Sequence, residues 1–166
     1  MGGASSYLEI ESREARYDAL HKGLEAMLTG ESDPVLIMST VACELHNAFE
    51  YFDWTGFYRV VRPALLAVGP YQGGHGCLYI PFDKGVCGAA ARTEQTQWVR
   101  DVHARTDHIA CSSTTMSEVV VPIVRERDGA LVAVLDIDSD QADIFDEHDI
   151  KGLEAIAALV GALWDA

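Results

Sequence analysis

The strand-like run Val132-Ala133-Val134-Leu135-Asp136-Ile137-Asp138 ends in two acids. Side chains alternate along a strand, so Asp136 and Asp138 point the same way. Packing alone gives an apolar strand no use for such a pair. Residues 119–124 read as its hairpin partner, with Arg127-Asp128-Gly129 at the turn. Two registers are open. A two-residue Asp128-Gly129 turn sets Ser139 opposite Glu118, and the acids diverge. A three-residue turn with Gly129 left-handed pairs Glu118 with Asp138 and Val120 with Asp136, so three acids share one face. Like charges directly opposite repel. That cluster calls for a cationic ligand, a metal or a shared proton. The alternative is that the strand end emerges into water and its acids are simply solvated.

Cysteine is the second chemical signal. Cys77, Cys87 and Cys111 lie in or beside glycine-rich or irregular segments, where thiols tend to be reactive. They stand ten and then twenty-four residues apart, unlike the short paired spacing of structural zinc, so no metal site is expected even with His75, His103 and His108 nearby. Thiol/disulfide chemistry asks for less: one nucleophile, one resolving cysteine and a loop that lets them meet. Three unpaired buried cysteines are the competing reading. Cys43 falls on a helix beside its apolar face and reads as a small buried hydrophobe. No nucleophile elbow supports a Ser-His-Asp triad.

The elements that must position these groups follow from periodicity. Residues 12–28 read as a helix with Leu20, Leu24, Met27 and Leu28 on one side. A second helix starts at Asp33-Pro34, with Asp as N-cap and Pro in the first turn, and its apolar face runs Ile37, Val41, Leu45, Ala48, Phe49 and Phe52. Strands are expected at 54–60, 64–68, 78–82 and 97–99, a glycine-rich loop at 69–76, a short helix at 85–93 and a long loop at 101–117. An amphipathic helix over 146–164 closes the chain, with Asp146 as N-cap. Helices at both ends of consecutive strands make an α+β domain with a mainly antiparallel sheet. Residues 1–11 are expected as a flexible tail and 12–166 as the single domain.

Composition narrows the partners. The chain has 166 residues, enough for one core, with 12 basic and 26 acidic residues and a formal charge of −14. That balance argues against nucleic acid and anionic lipid. The longest apolar stretch, residues 156–164, is far short of the roughly 20 needed to span a bilayer. Four cysteines with no secretory leader place the chain in a reducing, cytoplasmic setting. Met1-Gly2-Gly3-Ala4-Ser5-Ser6 fits the N-myristoylation spacing at Gly2, against the plain reading of a solvated tail.

Several motifs occur in a telling order: Trp54-Thr55-Gly56-Phe57-Tyr58, Gly69-Pro70-Tyr71-Gln72-Gly73 and Ile80-Pro81-Phe82-Asp83-Lys84-Gly85-Val86-Cys87-Gly88. They are followed by Asp101-Val102-His103, His108-Ile109-Ala110-Cys111, Ser117-Glu118-Val119-Val120-Val121-Pro122 and Val134-Leu135-Asp136-Ile137-Asp138-Ser139. From about Trp54 to Phe145 the sequence resembles the free methionine-(R)-sulfoxide reductases, stand-alone GAF domains. Gly76 before Cys77 and Leu78-Tyr79 after it depart from that pattern. The resemblance implies a six-stranded antiparallel sheet flanked by helices, with a small-molecule pocket closed by the loops of Cys77 and Cys111. It implies free methionine sulfoxide as substrate, Cys111 as nucleophile, Cys77 as principal resolving cysteine and Cys87 in an auxiliary role. It places Glu118, Asp136 and Asp138 as pocket acids and Trp54 and Tyr58 as an aromatic wall.

The chemistry suits these residues. A sulfoxide oxygen leaves badly unless protonated, and crowded buried carboxylates can keep a proton near neutral pH. The other acids can hold a substrate ammonium group. A disulfide left at the end needs no cofactor in the chain, only an external dithiol such as thioredoxin. A homodimer is compatible with the sequence. The rival reading is a non-catalytic GAF module that senses a small molecule or redox state. Such a sensor usually has an effector domain attached, whereas this chain ends just after its last helix, and it has no use for three loop cysteines beside three acids.

Overall fold

A computed structural model describes residues 7–106 and 113–165. Four helices and six strands follow in the order α1 (Arg13–Met27), α2 (Pro34–Ala48), β1 (Trp54–Arg62), β2 (Leu65–Gln72), β3 (Tyr79–Pro81), α3 (Gly85–Thr93), β4 (Gln97–Val99), β5 (Ser117–Val124), β6 (Leu131–Ser139) and α4 (Glu147–Leu163). The strands form one sheet in the order β3-β2-β1-β6-β5-β4, antiparallel at each pairing. The expected α+β architecture with a six-stranded antiparallel sheet is therefore present.

The helix starts are where the cap residues put them. Ser12 accepts from the Ala15 N–H, Asp33 from the Val35 N–H, and Asp146 with Asp149 closes a capping box on α4. The two faces of the sheet carry two cores. One packs α1, α2 and α4 on Phe57, Val119, Val121, Ile123, Ala133, Leu135 and Ile137. The other, smaller, packs α3 on Trp54, Tyr58, Val120 and Val134. Strand alternation produces this division, and each central strand therefore serves both faces.

Several expectations need correction. Cys43 is exposed rather than core. The buried stripe of α2 runs Ile37, Met38, Val41, Ala42, Leu45 and Ala48, and residue 43 is turned about 100° past Ala42 toward water. Met27 is 49% exposed, at the flank of the stripe Tyr17, Leu20, Leu24 and Leu28. Strand β2 continues through Gln72, where a loop from Gly69 was expected. Pairing with central β1 overrides the local breakers, and a register shift between Gly56 and Tyr58 lets the Gly69-Pro70 step sit in a bulge. Packing is also seen before α1: Tyr7 is buried and Ile10 lies on the same core. No described helix is long and apolar enough to cross a membrane.

The helix layer is tied by Asp149, fully buried at the base of α4. Its carboxylate accepts from Tyr51 Oη at 2.6 Å, Tyr17 Oη at 3.0 Å, Arg13 Nη1 at 2.7 Å and the Asp146 N–H at 2.8 Å. A buried charge met from four directions is satisfied, and removing it strands its donors. Asp149→Ala should lower unfolding free energy by about 3–5 kcal/mol in urea titrations. A loss under about 1 kcal/mol would show that the network contributes no stability.

Candidate active site

The site begins with the β5/β6 register. Glu118 lies opposite Asp138, and Val120 opposite Asp136. This is the pairing of the three-residue-turn alternative, but another device produces it. Residues 126–129 form a four-residue turn: the Arg125 N–H donates to Ala130 O at 2.8 Å, the Gly129 N–H donates to Arg125 O at 2.9 Å, and Gly129 takes φ +69°. A register shift between Ile123 and Val124 absorbs the extra residue. The three acids thus share one face, and β1 continues it with Trp54 opposite Asp138 and Gly56 opposite Asp136.

The acids are withdrawn from water. Glu118 and Asp136 are buried and Asp138 is half-buried. Desolvation by burial pushes all three carboxyls well above the usual range, and their mutual repulsion adds to it: Asp138 acts on Glu118, Glu118 on Asp136, and Asp136 on Asp138. A side-chain hydrogen bond between Glu118 and Asp136 counters the rise at Glu118 and adds to it at Asp136, and the positive charge of Arg105 offsets a further part at Glu118. Asp136 Oδ1 is buried with no hydrogen-bond partner among the described residues. The solvated-acid alternative is thereby excluded for Glu118 and Asp136.

Cys87, the third residue of α3, donates from Sγ to Asp136 Oδ2 at 3.3 Å. A helix N-terminus would lower a thiol's pKa. Here burial dominates, Asp136 and Glu118 add to it, and the Cys87 thiol is pushed well up and keeps its proton. Cys87, Glu118 and Asp136 bring one ligand atom each within 4.8 Å of one another, a spacing that could hold a metal. Two of these groups, Cys87 Sγ and the Asp136 carboxyl, already hydrogen-bond each other. Cys77 is disulfide-bonded, while Cys43 and Cys87 are free thiols. Cys111, His108 and Gly2 lie outside the described residues.

Above the acids stands an aromatic wall. Trp54 stacks on Tyr58 (centroids 5.8 Å apart, planes at 23°) and on Tyr71 (5.3 Å, 18°). Burial and the neighbouring acids, Asp136 first, push the Tyr58 phenol up, so it stays neutral and can donate. Gly56 makes the stack fit: a Cβ there would come 2.4 Å from Tyr71 Cβ and 2.6 Å from Trp54 Cη2. Trp54, Gly74, His75, Thr114, Thr115 and Asp138 line a cleft of ≈ 530 Å³. An indole wall with Asp138, Asp53 and Asp140 on the same lining suits a small cationic or zwitterionic ligand. Sequence reading left two contributors without a role: Tyr71, inside one of the motifs, and Arg105, outside them all. Arg105 sits in an irregular segment with no periodicity to flag it. Tyr71 was hidden by the expectation of a loop.

A six-stranded antiparallel sheet, with α1, α2 and α4 on one face and α3 on the other, is the architecture of a GAF domain, and residues 32–165 match that family. The free methionine-R-sulfoxide reductase of Saccharomyces cerevisiae is 36% identical over 161 residues, 93% of this chain and 89% of the relative. That of Escherichia coli is 34% identical over 142 residues, 86% and 84%. The free methionine-R-sulfoxide reductase of Neisseria meningitidis, solved in complex with its substrate, superimposes with a TM-score of 0.88 at 38% identity, covering 95% of this chain and 93% of that one. The chain belongs to the GAF domain family and, within it, to the free methionine-R-sulfoxide reductases.

Two outcomes follow from this geometry. Each buried acid binds its proton more tightly in the fold than in the unfolded chain. Its contribution to stability is full below the unfolded carboxylate range, about pH 4, and is lost as pH rises through the raised value. Between about pH 5 and 8 the urea midpoint should therefore fall as pH rises, with a shallower slope in Asp136→Asn; equal slopes would show that Asp136 is charged throughout. Gly56→Ala should shift tryptophan emission and cost about 1–3 kcal/mol by overpacking, and unchanged emission and midpoint would show that the stack yields freely.

Proposed function

We propose that the protein reduces free L-methionine-(R)-sulfoxide to L-methionine. The observation that carries this reading is the burial of Glu118, Asp136 and Asp138 on one sheet face beneath Trp54 and Tyr58, in a member of this family. The Cys111 thiolate attacks the sulfoxide sulfur while the raised carboxyl pair Glu118–Asp136 protonates the oxygen. The sulfur–oxygen bond of the substrate breaks, its oxygen ends on Cys111 as a sulfenic acid, and methionine leaves. The Cys77 thiolate then attacks the Cys111 sulfur, and hydroxide departs as water with one proton. The sulfoxide is reduced by two electrons and two thiols become one disulfide, which an external dithiol such as thioredoxin reopens.

Each role has physical support. Asp138, half-buried at the cleft, suits the substrate ammonium group, and the unpartnered Oδ1 of Asp136 lies deeper in the same cluster. Trp54 and Tyr58 can enclose the S-methyl end. Cys77 already carries a disulfide while Cys43 and Cys87 stay reduced, as pairing with Cys111 requires. The protonated Cys87 thiol is a poor nucleophile and takes the auxiliary part, donating to Asp136. The protein needs no bound cofactor in this scheme and works in the cytoplasm, where dithiol reductants are kept reduced.

Epimer-resolved turnover of free methionine sulfoxide with dithiothreitol tests the reading. Wild type should consume the R form, Cys111→Ser should lose turnover, and Asp138→Asn should raise KM about tenfold or more, the worth of one charge-assisted hydrogen bond. Absence of wild-type turnover would leave a ligand-binding GAF module as the better description.

A further inference from the structure

Trp54 has a second contact that its place in the cleft does not explain. The indole Nε1–H donates to Gly74 O at 2.9 Å. Gly74 lies three residues before Cys77, in the segment that joins β2 to β3, and His75 beside it also lines the cleft. The indole is stacked on Tyr71 of β2 and Tyr58 of β1, so its position is set by the sheet rather than by the loop. Trp54 is itself buried, and its strand partner is Asp138. A rigid group on central β1 therefore holds the backbone of the segment that carries Cys77. The segment's other ties lie at and after Cys77, which packs half-buried on the α3 core, with the Val68 N–H donating to Leu78 O at 3.0 Å; ahead of Cys77, Gly73, Gly74 and Gly76 have no side chains to anchor.

We propose that Trp54 is a positioning residue for the resolving step: its indole N–H holds the Cys77 loop where Cys77 can reach the sulfenic acid. This rests on the reductase reading above and adds a separable role to the same side chain. Apolar enclosure of a substrate uses the ring. Loop placement uses the N–H. Trp54→Phe keeps an aromatic ring between Tyr58 and Tyr71 but removes the donor, leaving Gly74 O without that bond.

The two half-reactions separate the roles. Reduced enzyme mixed with free methionine-(R)-sulfoxide, without external dithiol, releases methionine in the first step and forms the Cys77–Cys111 disulfide in the second. For Trp54→Phe, methionine release registers what the smaller ring costs at the cleft, and disulfide formation should slow about tenfold beyond that cost, the worth of one hydrogen bond at its upper range. Sulfenic acid should then accumulate and be trapped by dimedone, which wild type does not show. Tyr71→Leu removes the outer stack from an exposed position without touching the donor, and should give the same imbalance to a smaller degree. Disulfide formation at the wild-type rate in Trp54→Phe overturns the proposal. So does equal slowing of both steps, which assigns Trp54 to the wall alone. A failure of wild type to release methionine defeats the reductase reading instead, and a change in melting temperature identifies a folding defect before either rate is compared.

Discussion

Placing three carboxyl groups side by side out of water is the constraint around which the rest of this molecule is arranged. Two strands in antiparallel register put Glu118 directly across from Asp138 and bring Asp136 one step along the same face. Repulsion and desolvation would separate such groups if they were free to move. They cannot move, because every alternate residue of the same strands is locked into the opposite core: Val119, Val121, Leu135 and Ile137 are all fully or almost fully buried. The helix layer holds the acids in place from behind, and what cannot be relieved by motion is relieved by protonation.

The molecule shows two ways of burying an acid. Asp149 meets two phenols, a guanidinium and a backbone N–H, and its charge is compensated where it sits. The pocket acids meet one another, a thiol that donates, and the field of Arg105. The first arrangement is closed and structural. The second leaves an oxygen of Asp136 without a donor among the described residues, and a cleft beside Asp138. A single chain thus buries one acid with its hydrogen bonds complete and another with an oxygen left over.

Much of this was legible in the residues. Caps at Ser12, Asp33 and Asp146 marked helix starts because they act on local backbone donors. Alternation in β6 put Asp136 and Asp138 on one face because a strand's period is local too. Cys43 and Met27 were misplaced because a helical stripe is broad at the level of sequence, and only packing shows which flank the neighbouring sheet covers. The end of β2 was missed because Gly69 and Pro70 oppose a strand locally, whereas hydrogen bonds to β1 reward one from a distance.

The sequence by itself determined the elements, the faces of the strands, and the family to which the motifs belong, since each depends on neighbours a few residues apart. Tertiary structure decided between the two hairpin registers, through a four-residue turn and a compensating bulge that no turn rule on Arg127-Asp128-Gly129 contained. It also decided that Cys87 would be a protonated donor to Asp136, and that Trp54 would join the cleft to the Cys77 loop. The reason is the same in each case. Register, burial and the field at a titrating group come from strands and helices far apart in the chain, and their energies exist only once those segments have met.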